Sequence, residues 1–214
     1  MSITEAWFCE QKARELGAKL VAGVDEAGRG PIAGPVVAAA VVLPHDFEPS
    51  GIQDSKKLTP KQRKQAFAKI TDQAIAYAVG VVEPHVIDEI NILQASFLAM
   101  RRALEGLKIN YDFVLVDGNM EIPHVTARQM AIVDGDALSI SIAAASIIAK
   151  FTRDQIMSEL AERYPGYGFE KHKGYCTNEH INAIDRLGIC PVHRLSFAPV
   201  ARRVHSICLQ PELF

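Results

Sequence analysis

Asp25 and Glu26 are adjacent carboxylates at the end of the apolar, β-prone run Leu20-Val21-Ala22-Gly23-Val24, and they lead into Ala27-Gly28-Arg29-Gly30-Pro31. A run this apolar reads as a buried strand. Such a strand cannot carry two carboxylates without compensation, because unpaired buried charge is costly or shifts its pKa. A divalent cation compensates directly. Carboxylate oxygens are hard ligands suited to Mg²⁺ or Mn²⁺, ions that keep positions open for water or substrate phosphate. Two more acids occupy similar settings: Asp117 closes Phe113-Val114-Leu115-Val116, and one of Asp134 or Asp136 follows the run from 129 to 133. The pattern points to phosphate chemistry at a carboxylate-held metal. Neighbouring side chains on a regular strand face opposite ways, so Asp25 and Glu26 can share an ion only where the backbone departs from regularity. Gly28 and Gly30 supply the means, and mutual repulsion among the acids would raise at least one apparent pKa of the cluster.

The elements that must position these acids alternate along the chain. Val36 to Leu43 reads as a second strand, too close to the first for a helical crossover, so the two should form an antiparallel hairpin. Thr59-Pro60 opens a helix with a good N-cap and a proline in its first turn, running to about Tyr77. Val79 to Val82 is a short strand. A second helix runs from Pro84 through Leu104, with Ile87, Ile90, Leu93, Phe97, Met100 and Leu104 on one face and Gly106 at its end. Phe113 to Val116 has the continuous apolar character of a strand buried on both faces. Gln129 to Val133 is the fifth strand, before an Ala- and Ile-rich helix from about Ser141 to Arg163 and another from Thr177 to Leu187. A meander followed by alternating strands and helices predicts an α/β fold, a mixed five-stranded sheet with helices on both faces.

The chain has 214 residues, 49% hydrophobic and 22% charged, the size and make-up of one globular domain burying roughly 70% of its unfolded surface. A single catalytic domain over 1–214 is expected, with its core from about 20 to 200 and a short tail at 201–214. The longest apolar run, Pro35 to Pro44, is too short to span a bilayer, and Glu5, Glu10 and Glu15 stand where a secretory signal would be cationic and then apolar. A cytoplasmic monomer with no membrane partner is the expectation. Cys9, Cys176, Cys190 and Cys208 form no CxxC pair and read as free thiols. A net charge of −2 gives no global bias toward nucleic acid, yet Lys56, Lys57, Lys61, Arg63, Lys64 and Lys69 cluster without an intervening acid.

Seven ordered segments resemble ribonuclease HII. They are Gly23-Val24-Asp25-Glu26-Ala27-Gly28-Arg29-Gly30-Pro31, Asp54-Ser55-Lys56-Lys57-Leu58, Val116-Asp117-Gly118, Gly135-Asp136, Ala144-Ala145-Ser146-Ile147 with Ala149-Lys150, His172-Lys173-Gly174-Tyr175, and His193-Arg194-Leu195-Ser196-Phe197. The resemblance implies a ribonuclease H-like fold and endonucleolytic cleavage of RNA in RNA/DNA hybrids, including single ribonucleotides embedded in duplex DNA, leaving 5′-phosphate and 3′-hydroxyl ends. Carried over by position, Asp25, Glu26, Asp117 and Asp136 would be the catalytic, metal-binding acids, holding a pair of Mn²⁺ or Mg²⁺ ions about 4 Å apart. The family form at the last acid is closer to Lys-Gly-Asp, so Asp134 departs from it. Gly28, Arg29 and Gly30 would read the ribose through main-chain groups, and Tyr175 would pack on the following sugar. Lys56, Ser146, Lys150 and Arg194 would contact phosphates, the main source of affinity in such complexes.

Two other patterns carry less. Gly28-Arg29-Gly30-Pro31-Ile32-Ala33 fits a loose dinucleotide fingerprint, but Pro31 and the β-branched run after Pro35 leave no helix to cradle pyrophosphate. Cys176, His180, Cys190 and His193 imitate a zinc-site spacing, although His193 already belongs to a segment above. The last residues, Gln210-Pro211-Glu212-Leu213-Phe214, resemble a short peptide that docks into replication sliding clamps, with Gln210 as polar anchor and Leu213 and Phe214 for an apolar pocket.

Overall fold

Val36-Val37-Ala38-Ala39-Ala40-Val41-Val42 is wholly buried and forms the second strand of a five-stranded sheet. Its alanines keep both faces shallow, which lets a helix approach from either side. The computed structural model describes residues 6–52 and 54–208. The strands are β1 (Val21–Ala27), β2 (Val36–Val42), β3 (Ala76–Val82), β4 (Phe113–Asp117) and β5 (Arg128–Ile132), in the order β3-β2-β1-β4-β5. The first three pair antiparallel, while β1, β4 and β5 run parallel. The expected mixed sheet and hairpin are present.

Eight helices accompany the strands among the described residues: α1 (Phe8–Glu15), α2 (Pro60–Gln73), α3 (Pro84–Gly106), α4 (Gly135–Leu138), α5 (Ile140–Arg163), α6 (Phe169–His172), α7 (Asn178–Leu187) and α8 (Ala198–Cys208). Even-numbered strand residues such as Ala22, Val24, Ala38, Ala40, Val114 and Val116 pack on α3 through Ala95, Ala99, Met100 and Ala103. Odd-numbered residues of β2, Ala39 and Val41, meet Ala144, Ile147 and Ile148 of α5 on the opposite face, with α2 alongside. Gly23 is where α5 crosses β1 most closely: a Cβ there would lie 2.2 Å from the Ser141 carbonyl carbon. Any side chain at 23 would force helix and sheet apart.

Two boundaries and one helix interior differ from the sequence reading. β1 continues through Asp25 and Glu26, because Asp25 pairs with Ala39 and Glu26 with Ala38 across the hairpin. α2 ends at Gln73 rather than near Tyr77, since Ala76 and Tyr77 extend to pair with Val42 and Val41 of β2. Within α3, Asn91 adopts φ 64° and ψ 166° and kinks the helix, its side-chain oxygen accepting from the amides of Leu93 and Gln94. α1 was not anticipated. Its Glu10 is buried and accepts from Ser139 Oγ at 2.6 Å and the Ser141 amide at 2.9 Å, so it satisfies the start of α5. No helix among the described residues is long and apolar enough to cross a membrane.

Beyond the sheet, Ile32 and Ala33 from the β1–β2 connection pack with Met157, Tyr167, Phe169, Ala183, Ile184 and Val200. This cluster ties the Gly-rich connection to the C-terminal helices, and it brings Tyr175 to the edge of the sheet where β1 ends.

Candidate active site

β1 and β4 are parallel and in register through Val24 and Val116, so the next residues, Asp25 and Asp117, are neighbours at the strands' C-terminal ends. The pleat turns both toward the face that carries α5. Alternation sends Glu26 the other way, but β1 there has outrun its pairing with β4, and Glu26 still feels the charges of Asp117 and Lys56. Asp25 is 5% exposed. Burial first, then the charges of Glu26 and Asp117, push its carboxyl well above the ordinary range, against the Ser146 hydroxyl and the Glu26 amide, which donates to Asp25 Oδ1 at 2.6 Å. Burial also raises Glu26, and Asp117 adds to it, opposed by the Arg29 guanidinium 3.4 Å away and by Lys56.

Asp117 Oδ1 accepts the Gly135 amide at 2.8 Å, which anchors the turn that carries the fourth acid. Asp134 takes the left-handed conformation, φ 55°, and is exposed at the start of α4. Asp136 instead stands 3.9 Å from Lys56 Nζ, and burial, Asp54 and Asp117 raise its pKa. Of the two alternatives after β5, Asp136 is the one in electrostatic contact with the other acids. No group of three or more His, Cys, Asp or Glu side chains among the described residues is already gathered into a metal-holding cluster. The four acids form instead a chain of mutually repelling carboxylates along the sheet edge. All are hard oxygen donors, and the buried Asp25 has two like charges on it, so the donor set fits a divalent oxophilic cation.

A cavity of about 220 Å³ opens at this edge, lined by Asp25, Glu26, Gly28, Arg29, Gly30, Ser55, Lys56, Ser146, Lys150, Arg153 and Tyr175. Seven of these were expected at the substrate from sequence, besides the two acids. Ser146, Lys150, Arg153 and Met157 follow at four- and three-residue steps and share one face of α5. Ser146 Oγ is 2.9 Å from Ser55 Oγ, both buried, and Lys150 Nζ donates to Asp154 at 2.5 Å. Lys56 is the most exposed cation of the group, its side chain 80% exposed although its ammonium lies 3.9 Å from Asp136. Arg63, a member of the basic cluster, is taken up by the protein itself, donating to Ser55 O, Leu58 O and Asp154.

The Gly-rich connection is held from beneath. Gly28 has φ +99°, and a Cβ there would lie 2.2 Å from Arg153 Nε and 2.8 Å from the Pro35 carbonyl. Arg153, 1% exposed, donates to the carbonyls of Pro35, Ala33 and Lys173. Arg194, expected at a phosphate, is instead wholly buried and donates to the carbonyls of Gly34, Arg29 and Gly28 at 3.0, 3.0 and 2.6 Å. Its guanidinium faces the backbone, not the cleft. Arg153 and Asp54 were missed as contributors. The signal for Arg153 was available: a lone cation one turn beyond Lys150 in a helix otherwise rich in Ala and Ile.

Tyr175 is 48% exposed, its ring 3.8 Å from where a Gly30 Cβ would be. Behind it lies a directed hydrogen-bond chain. The Tyr175 carbonyl can only accept, so His180 carries its proton on Nδ1, 2.9 Å away. His180 Nε2 then accepts from His193 Nε2 at 3.1 Å, and His193 Nδ1, which lies 3.0 Å from the Cys190 amide and 3.1 Å from the Cys190 carbonyl, accepts from the amide. Both rings are neutral in this arrangement. Burial pushes His180 down to about 4, with His172 and His193 adding repulsion.

The sequence model of ribonuclease HII matches residues 22–200. Ribonuclease HII of Desulfitobacterium hafniense (strain Y51) is 55% identical over 204 residues, 95% of this chain and 78% of that protein. Among solved structures, ribonuclease H2 from Pyrococcus horikoshii OT3 superposes with a TM-score of 0.75 at 29% identity, over 90% of this chain and all of that one. The RNase HII structure determined in complex with PCNA from Archaeoglobus fulgidus has a TM-score of 0.68 at 25% identity, over 84% and 95%.

Proposed function

This chain belongs to the ribonuclease HII family, hydrolases that act on RNA/DNA hybrids, and we propose that it cuts on the 5′ side of ribonucleotides embedded in duplex DNA as well as within longer hybrids. The products carry 5′-phosphate and 3′-hydroxyl ends, and the role that follows is removal of ribonucleotides and RNA primers. The observation that supports this reading best is that Asp25 and Glu26 share the lining of one cavity with Gly28, Arg29, Gly30 and Tyr175, with Asp117 the neighbour of Asp25 on the adjoining strand. Acids that can act on a phosphate and glycines that can approach a sugar line one cleft.

In this proposal Asp25, Glu26, Asp117 and Asp136 hold a pair of Mn²⁺ or Mg²⁺ ions. When bound, such ions supply positive charge for the attacking and leaving oxygens of an in-line displacement at phosphorus. The protein's own groups do the rest. Ser146 steadies Asp25, and Lys56 offers a solvent-exposed ammonium to the backbone next to the scissile phosphate. Lys150, steadied by Asp154, faces the same cavity as a second phosphate contact. The Gly28–Gly30 main chain reads the 2′-hydroxyl, and the Tyr175 ring packs on the next sugar, where a second 2′-hydroxyl would crowd it. No protein nucleophile is needed.

The decisive experiment is cleavage of a DNA duplex containing one ribonucleotide, with the cut mapped at nucleotide resolution. A divalent-ion-dependent cut 5′ to the ribonucleotide is expected; cutting elsewhere, or cutting that persists in EDTA, overturns the reading. The clamp-binding expectation for Gln210, Leu213 and Phe214 lies outside the described residues. The Archaeoglobus relative was solved with PCNA, and we carry the same partner class to this tail. Deleting residues 210–214 should abolish sliding-clamp binding in a pull-down and leave hybrid cleavage intact; binding that survives the deletion removes the proposal.

A further inference from the structure

We propose that Arg194 is a positioning residue that turns the main-chain amides of Arg29 and Gly30 toward the substrate's 2′-oxygen, an inference that rests on the nuclease reading above. The guanidinium reaches across one loop, with Nη2 on the Gly28 carbonyl, Nη1 on the Arg29 carbonyl and Nε on the Gly34 carbonyl. None of the peptide bonds described is cis. In a planar trans peptide the C=O and the N–H point in opposite directions. Drawing the Gly28 carbonyl inward therefore turns the Arg29 N–H outward, and drawing in the Arg29 carbonyl does the same for the Gly30 N–H.

Neither amide donates to a protein acceptor among the described residues. Both residues line the cavity that holds Asp25, Glu26 and Tyr175. Two successive outward amides make a concave donor pair suited to a single oxygen. Lysine could not substitute. The planar guanidinium presents several donors in a fixed fork, whereas a single ammonium cannot hold three carbonyls spread along a loop.

Arg153 braces the other end of the loop through Pro35, Ala33 and Lys173. Neither arginine forms an ion pair with a carboxylate among the described residues. Burying a cation without a counter-anion is unfavourable unless hydrogen bonds replace its water. Six backbone carbonyls do so here, and the arrangement fixes positive charge directly beneath the amides. Packing alone would be met by an apolar side chain. A buried fork aimed at consecutive carbonyls is a device for peptide orientation.

The test compares wild type with Arg194→Lys for binding to duplex DNA with and without one ribonucleotide, under chelating conditions that prevent cleavage. Wild type should favour the ribonucleotide, and the substitution should reduce that preference roughly tenfold, the worth of about two hydrogen bonds, with affinity for all-DNA duplex retained. A preference that survives, or a loss shared equally by both duplexes, overturns the assignment. Because the variant can fail to fold, amide NMR on wild type gives an independent readout. The Arg29 and Gly30 amides should exchange rapidly in the free protein and be protected by the ribonucleotide duplex but not by its all-DNA counterpart; protection by neither, or by both alike, refutes the proposal. Wild-type protein that cuts no ribonucleotide-containing duplex would instead refute the nuclease reading.

Discussion

Asp25 and Asp117 stand side by side because each follows one member of the paired residues Val24 and Val116 on two parallel strands. Parallel pairing sets them on the same face, under α5, where the first is buried and feels the charge of the second. Loss of either should remove the anchor for a cation and leave the rest of the cleft in place. Asp25→Asn and Asp117→Asn are each expected to lower hybrid cleavage by at least a factor of about 10³, with hybrid binding kept within a few-fold. Single-turnover cleavage and fluorescence anisotropy check this, and an undiminished rate in either variant removes that acid from the mechanism.

The same two residues make the metal-free protein self-opposed. Burial and like charge raise the Asp25 pKa, so the folded state holds this proton to higher pH than the unfolded chain does. On its account stability is greatest at acid pH and falls as pH rises through and above the usual carboxylate range. In EDTA at pH 7.5, Asp25→Asn should therefore melt several degrees above wild type, with the gap closing toward pH 4. Mg²⁺ or Mn²⁺ should raise the melting temperature of wild type and not that of the variant. Thermal melts in matched buffers decide it.

The histidine pair behind Tyr175 has the opposite sign. His180 is neutral in the fold and pushed down to about 4 from 6.5, so the unfolded chain binds the extra proton first. Its contribution is fully present above pH 6.5 and is lost as pH falls toward 4, up to about 3 kcal/mol for a shift of that size. Urea midpoints measured from pH 7.5 to 4.5 should fall steeply for wild type. For His180→Asn they should start lower and fall less; parallel slopes for the two proteins would show that this histidine does not titrate with unfolding.

Tyr175→Ala removes the ring beside Gly30 without touching the acids. Cleavage at an RNA–DNA junction should drop roughly tenfold relative to cleavage within an all-RNA strand, because the ring no longer favours a sugar without a 2′-hydroxyl. Equal losses on the two substrates would assign Tyr175 a general contact.

The strands and the acids were legible because their signals are local: apolar runs closing on Asp25 and Asp117, and turns containing glycine. What escaped was set by residues far away in sequence. Asp25 and Glu26 look like the first residues of a turn, yet Ala38 and Ala39 hold them in β1. Ala76 and Tyr77 continue a helical pattern, but β2 takes them as strand partners. Arg194 reads as one more cation in a polyanion-binding protein, and only the path of the chain brings it beneath residues 28 and 29, more than 160 positions earlier in the sequence. Likewise it is Lys56 and the charge of Asp117, both distant in sequence, that distinguish the surroundings of Asp136 from those of Asp134.

Ser146, Lys150 and Arg153 all project from one face of α5, and Glu10 fastens that helix at its first turn. The helix acts as a common ruler: the hydroxyl that steadies Asp25, the cation facing the cleft and the brace under the glycine loop keep fixed spacings because they share one axis. A change that slid or rotated α5 would move all three together. Such a change can lie as far off as the N-terminal helix, and it would damage chemistry, affinity and sugar discrimination at once, with no residue of the cleft altered.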